Sequence, residues 1–341
     1  MAHLSLVVQT SFLGDVVLAT PLLAQLATDG PVDVVTTPAA AGLLANHPAV
    51  RRVIVYDKRG THSGVGGLAE LSRAIRAPDR SAIAYCAQGS LRTAALALAA
   101  GYRTRIGFDR SAGRWLYTSR VAYRREQHHV ERLWRLAAGS GAVADPAALL
   151  PRLYPGDDDR ARVSELLVRE ASPGGEPLIA LAPGSVWATK RWPYYLDLAR
   201  RLTSAGQLVV VGGAADRDIA RAIVDATFGA AIDATGCLSL LQSAELIGRC
   251  ALLITNDSAP QHLASAMRTP TVAIFGSTVP ALGFGPLAPQ SAIVEHLGLD
   301  CRPCNAHGPV QCPLGHWRCM RDLDADRVAQ VAMRLANARE R

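Results

Sequence analysis

Short apolar runs and amphipathic stretches alternate along the whole chain. Residues 4–9, 32–36, 53–56, 81–86 and 104–108 each read as a buried strand, with helical patterns over 16–27, 39–46, 67–75 and 91–100 between them. Strands alternating with helices predict a parallel sheet with helices on both faces, an α/β class. The pattern then breaks. Residues 142–177 hold Pro146, Pro151, Pro155, Pro173, Gly174 and Gly175, and an acidic run from Asp157 to Asp159 heads one helix over 158–170. Proline and glycine at this density mark an interdomain connection, and acids in a first turn suit the helix dipole. The alternation resumes with strands at 178–182, 207–211, 252–255 and 271–275, a helix near Pro193, another after Asp218, one over 236–249 and a last one over 324–339.

The 341 residues exceed what one core usually serves, so two domains are expected. The boundaries are read as residues 1–150, a linker with its helix at 151–177, a second domain at 178–322 with a cysteine-rich loop at 301–319, and a terminal helix at 323–341. Charged residues make up 19 % and hydrophobic residues 49 %, as in a globular protein. The net charge of +7, with an excess of Arg, suits an anionic partner. Aromatic content of 5 % and no dense basic cluster argue against nucleic acid. The first strand begins at once, without a basic segment and cleavable apolar stretch, so no signal peptide is expected. No apolar run is long enough to span a bilayer. The expected compartment is the cytoplasm, with seven cysteines mostly reduced.

The candidate chemistry gathers where strands hand over to helices. Asn256-Asp-Ser258 stands at such a turn, where free backbone N–H groups and the helix dipole favour an anion; the plainer reading is that Asp257 or Ser258 caps the helix. The loop Pro183-Gly-Ser-Val-Trp-Ala-Thr-Lys-Arg-Trp-Pro193 brings Gly184, Ser185, Lys190 and Arg191 to another helix start, which is what a diphosphate needs. Two tryptophans beside two cations argue against an ordinary surface loop. Asp15 follows Gly14 at the first strand-to-helix turn; by spacing alone a dipole role outweighs that of a proton acceptor. No GxGxxG follows the first strand. Asp216-Arg-Asp218 has the form of a metal-holding pair, but its place after Gly212-Gly213 fits capping better. His128 and His129 begin an amphipathic helix, either as capping residues or at the rim of a cleft. Cys301, Cys304, Cys312 and Cys319 fall within nineteen residues, with His307 and His316 among them. The first pair has metal-knuckle spacing and the second is looser, so a structural zinc or iron site and four reduced thiols both stay open.

Four segments together carry a resemblance to glycosyltransferase family 9, the ADP-heptose:lipopolysaccharide heptosyltransferases, in its heptosyltransferase II branch. They are Ser11-Phe-Leu-Gly-Asp15, the 183–193 loop, Asn256-Asp-Ser258 with His262, and Phe275-Gly-Ser-Thr278. Ala259 stands where the family usually has glycine, and Val186 where a second hydroxyl is common. The resemblance implies a GT-B architecture of two Rossmann-like domains facing across a cleft, with the last helix crossing back to the first. It implies an inverting transfer from ADP-heptose that needs no metal for catalysis, with a lipid-linked core oligosaccharide as acceptor; the excess of Arg suits such an acidic acceptor and peripheral contact with an anionic membrane face. Asp15 would be the general base and Lys190 would steady the leaving diphosphate. Ser185, Thr189, Lys190, Gly213, Asp257, Ser258 and His262 would bind the nucleotide sugar. Some related autotransporter heptosyltransferases bind iron through cysteines, which bears on the 301–319 loop. The competing readings are a nucleotide-sugar epimerase on the same architecture, which would need no acceptor, and a nucleotide-binding protein without turnover.

Overall fold

A computed structural model describes residues 3–171 and 175–337. Pro173 and Gly174 of the expected connection, and the expected end of the last helix past 337, lie outside the described residues. The chain divides into two compact units, Met1–Tyr154 and Pro155–Arg341.

The first unit carries strands β1 (Ser5–Val8), β2 (Val32–Thr36), β3 (Arg52–Val55), β4 (Ile83–Cys86), β5 (Thr104–Phe108) and β6 (Ser119–Val121). Its helices are α1 (Leu13–Leu18), α2 (Thr20–Ala27), α3 (Pro38–Ala41), α4 (Gly64–Ala74), α5 (Leu91–Ala99) and α6 (His129–Ala138). The second carries β7 (Leu178–Ala182), β8 (Gln207–Val210), β9 (Ala231–Asp233), β10 (Leu252–Asn256), β11 (Thr271–Phe275) and β12 (Ser291–Glu295). Its helices are α7 (Asp157–Glu170), α8 (Tyr195–Leu202), α9 (Arg217–Ala226), α10 (Leu240–Arg249), α11 (Ala259–Met267), α12 (Arg318–Arg321) and α13 (Ala325–Asn337).

Among the described residues each unit has one six-stranded sheet, ordered β3-β2-β1-β4-β5-β6 and β12-β11-β10-β7-β8-β9, with parallel pairing throughout. Both orders are the doubly wound one, reversing between β1 and β4 in one sheet and between β7 and β10 in the other. The strands at the reversal read as unbroken apolar runs because helices cover both faces: every residue of β1 and of β10 is buried. Three strands went unpredicted. β6 and β9 are only three residues long, and β6 is mostly exposed. β12 is a half-exposed edge strand, so its apolar signal is diluted. The helix expected over 16–27 is two helices, broken at Ala19. Pro21 offers no N–H to the Val17 carbonyl; the Thr20 hydroxyl donates to that oxygen instead, at 2.8 Å. The terminal helix α13 packs on α8 and along β10, β11 and β12 of its own unit.

His47 is buried in the first unit. Its Nδ1 accepts the Ala49 N–H at 3.2 Å, and its ring meets Tyr154 edge-on at 5.0 Å. Burial pushes its pKa from 6.5 down to about 4. The unfolded chain therefore takes up a proton near pH 6.5 that the folded chain refuses until about pH 4. This contribution to stability is complete above pH 6.5 and is lost as pH falls through that window. Thermal or urea unfolding followed between pH 7 and 4 is expected to show a decline, of which the share due to His47, about 3 kcal/mol, disappears in His47→Phe.

Candidate active site

The order of the second sheet reverses between β7 and β10, the kind of place where ligands bind in doubly wound sheets, at the carboxyl ends of the strands. Asn256, the last residue of β10, joins them. Its amide donates to the Pro183 carbonyl at 2.7 Å, and its Oδ1 accepts the Trp192 N–H at 3.2 Å. Trp192 is not an exposed ring awaiting a ligand: it is buried, and its indole N–H donates to the Leu323 carbonyl at 2.7 Å. Part of the sequence argument for the 183–193 loop therefore falls, because core packing accounts for this tryptophan.

Lys190 and Asp257 form a buried ion pair across the reversal. Nζ lies 2.6 Å from Oδ2, the two side chains are 11 % and 8 % exposed, and the Thr278 hydroxyl donates to the same oxygen at 2.6 Å. Asp257 is thus committed to the lysine rather than to capping. Ser258, at the N-cap of α11, makes no side-chain cap bond either. The capping explanation for these two residues is not what the structure shows. His262 is buried within α11. The Thr189 hydroxyl lies 2.9 Å from Ser277 Oγ and 2.5 Å from the Pro309 carbonyl. Ser185 Oγ accepts the Trp187 N–H at 3.3 Å, and the Ser185 carbonyl accepts from Arg191 Nε at 2.7 Å. Gly213 gives its N–H to Asp216 Oδ2 at 2.9 Å. Gly184 and Gly212 both crowd that carboxylate, where a Cβ would come within 2.4 and 2.6 Å of an oxygen. Asp216 therefore closes a glycine turn.

In the first unit Asp15 lies one turn past β1, beside the reversal between β1 and β4. The Thr10 hydroxyl bridges that reversal to Gln88. Oδ2 of Asp15 accepts from the Ser11 hydroxyl at 2.5 Å and from the Phe12 N–H at 3.3 Å, the second bond being the first-turn role expected from spacing. Oδ1 lies 3.5 Å from His129 Nε2, and 14 % of the Asp15 side chain stays exposed. Lys58, from the loop after β3, donates to the Thr10 carbonyl at 3.1 Å. His128 caps α6, its Nδ1 accepting the Val130 N–H at 3.2 Å, while His129 turns inward. The two histidines left undecided by the sequence thus have different fates.

The cysteine-rich loop adjoins the Lys190 cluster. Cys304 N–H donates to the Ser277 carbonyl at 2.8 Å. Gly308, at φ +83°, packs where a Cβ would come within 2.7 Å of Ser277 Oγ. Arg302, which sequence reading did not single out, is the anchor. Its guanidinium, 4 % exposed, donates to the carbonyls of Gly276, Phe275 (3.2 Å), Thr278 (2.8 Å) and His296 (2.5 Å) and pairs with Glu295 at 2.9 Å. No local pattern marks this arginine; its importance comes from the meeting of a strand exit and a distant loop. The four cysteines are free thiols, and among the described residues no group of three or more His, Cys, Asp or Glu is arranged to hold a metal ion. Cys301 Sγ is 3.9 Å from His316 Nε2. For Cys312, slight burial acts upward on the thiol pKa, but the N–H groups of Trp317, Leu314, His316 and Gly315 outweigh it and lower it. Burial, reinforced by Cys304, raises the Cys319 thiol to about 11.

Two Rossmann-like units, each with polar and charged groups gathered at its strand-order reversal, give the chain the GT-B fold. The model of glycosyltransferase family 9 (heptosyltransferase) matches residues 69–317. The chain belongs to that family and is a heptose-transferring enzyme. Lipopolysaccharide heptosyltransferase 1 of Pseudomonas aeruginosa is 32 % identical over 322 residues, covering 88 % of this chain and 85 % of its own. A family 9 glycosyltransferase from Veillonella parvula superposes with a TM-score of 0.87 at 23 % identity over 98 % of each chain. The ADP-heptose lipopolysaccharide heptosyltransferase II of Escherichia coli does so with a TM-score of 0.80 at 24 % identity over 100 % of each chain.

Removing one partner of a buried ion pair strands the other charge. Lys190→Met is therefore expected to cost about 3 kcal/mol of unfolding free energy. Adding Asp257→Asn, which still accepts from Thr278, is expected to restore most of it, read by urea denaturation of both variants.

Proposed function

We propose that the chain transfers heptose from ADP-heptose to the lipid-linked core oligosaccharide of lipopolysaccharide, with inversion at the anomeric carbon and Asp15 as general base. The observation that carries this is the setting of Asp15. It is a partly exposed carboxylate at the carboxyl end of β1, held by Ser11 and Phe12 on one oxygen, in a family whose relatives carry heptosyltransferase names. Asp15 takes the proton of the acceptor hydroxyl as that oxygen attacks the anomeric carbon, and the ADP diphosphate leaves with the bond's electron pair. Negative charge grows on the departing phosphates, so a cation and helix-terminal N–H groups fixed beside them lower the barrier. Lys190 supplies the cation from the reversal between β7 and β10 and exchanges Asp257 for the diphosphate when donor binds. Ser185, Thr189, Gly213, Asp257, Ser258 and His262 complete the donor-binding set.

The loops and helix starts that follow the strands of the first sheet expose Arg59, Arg92, Arg110, Arg114, Arg124 and Arg125. These match the carboxylate and phosphate groups of an acidic core acceptor and the anionic face of the membrane that holds it. Among the described residues no helix is long and apolar enough to cross a membrane; the contact proposed is peripheral, from the cytoplasm. The cysteine loop enters no step. Its four thiols, one lowered by surrounding N–H groups, offer tetrahedral zinc or iron a donor set, but their arrangement would have to close up to hold the ion. Metal analysis of untagged protein tests this: one equivalent of zinc or iron, lost in Cys304→Ser, supports the site, and none rejects it.

General-base assistance is typically worth roughly 10²–10⁴-fold. Asp15→Ala is expected to lose turnover by that factor while binding ADP as the parent does. A donor screen with ADP-heptose, UDP-sugars and GDP-sugars, followed by mass spectrometry of the lipid product, is expected to show one added heptose with the first donor alone. Normal turnover by Asp15→Ala rejects the base, and transfer only from another nucleotide sugar rejects the donor.

A further inference from the structure

We propose that His129 is a positioning residue for this reaction, an uncharged imidazole that fixes the orientation of the Asp15 carboxylate without forming an ion pair with it. The inference rests on the reading of Asp15 as base. His129 opens α6, which packs against α1 and α2. His128 uses its side chain to cap the helix, so the next residue points inward. Nε2 of His129 then stands 3.5 Å from Oδ1 of Asp15, and the two side chains are 11 % and 14 % exposed. The other carboxylate oxygen is held by Ser11 and Phe12. One carboxylate oxygen is thus hydrogen-bonded and the other faces the imidazole at 3.5 Å, and the group stays partly open to solvent.

Charge decides what kind of brace this is. Burial pushes the His129 pKa down to about 4; Asp15 pulls it up, while Arg132 and His128 push it further down. The elements packed on α6 at α2 and 146–149 carry no ionisable group, and Arg105 of β5 is turned to the carbonyls of Tyr102 and Leu116. Arg132 is committed to the loop ahead of α6, donating to the carbonyls of Arg124 (2.9 Å) and Arg125 (2.6 Å). At neutral pH the imidazole is therefore neutral. A cation at this place would hold the carboxylate as an ion pair and weaken it as a proton acceptor. A neutral N–H favours the ionised carboxylate only mildly and still limits its orientation, and misorientation of a catalytic group by a fraction of an ångström already costs rate.

The test is steady-state kinetics of His129→Phe, His129→Gln, His129→Lys and Asp15→Asn, each first shown to be folded by an ADP-induced rise in melting temperature. His129→Phe is expected to lower kcat roughly tenfold to a hundredfold with the donor KM within about twofold. The acid limb of its kcat profile is expected to move to higher pH, because the carboxylate has lost a neighbouring donor. His129→Gln, whose amide can donate from a similar place, is expected to recover most of the rate and the limb. His129→Lys is expected to fold and bind ADP with kcat depressed and the limb moved to lower pH. If Asp15→Asn is inactive yet His129→Phe keeps the parental kcat and limb, the positioning role is overturned and the base assignment stands. If Asp15→Asn turns over normally, both are overturned. Should His129→Phe fail to fold, the other two variants decide: near-parental kcat in His129→Gln with depressed kcat in His129→Lys supports the proposal, and parental kcat in both overturns it.

Discussion

The ion pair between Lys190 and Asp257 is the interaction on which the second unit's site depends. Two charges buried side by side are stable only while both are present and hydrogen-bonded. Here the pair joins the loop after β7 to the turn after β10, and Thr278 brings in the turn after β11. Three strand ends are thereby held in register around one carboxylate oxygen. The apolar strands beneath are what make this affordable: every residue of β10 and β11 is buried, so the turns rise from a rigid floor.

The first unit solves a related problem differently. Its reversal is bridged by neutral groups, Thr10 with Gln88, and its carboxylate accepts from a hydroxyl and a backbone N–H, with the His129 imidazole 3.5 Å away. The contrast fits the chemistry proposed for each. A group that must accept a proton is best kept unpaired with charge, whereas a group that must meet a leaving diphosphate is best kept charged and dry until the phosphates arrive.

Much of this was legible in the sequence, for identifiable reasons. Buried parallel strands write themselves as apolar runs, so both sheets and the unit repeat could be read directly, whereas β6, β9 and β12 are too short or too exposed to leave that mark. The turns carrying Asp15, Lys190 and Asp257 were legible because strand-to-helix turns are where such folds gather polar groups. What each residue touches was not. Nothing local indicates that Asp257 faces Lys190 instead of capping α11, that Trp192 fills the core, or that His128 and His129 point in opposite senses. Arg302 shows the limit most plainly, since its five acceptors come from chain segments whose meeting no spacing rule encodes.

That arginine has a mechanical consequence. Its head group is tied to the exit of β11 on one side and to the 295–296 stretch on the other, and it is itself a member of the cysteine-rich loop. Pulling the loop outward would leave several carbonyl oxygens and a carboxylate dry at once, a penalty far larger than any single surface contact could repay. The loop and the turn at 275–278 must therefore shift as one piece. Any force applied at the thiols is delivered, through one rigid planar fork, to the threonine that steadies Asp257.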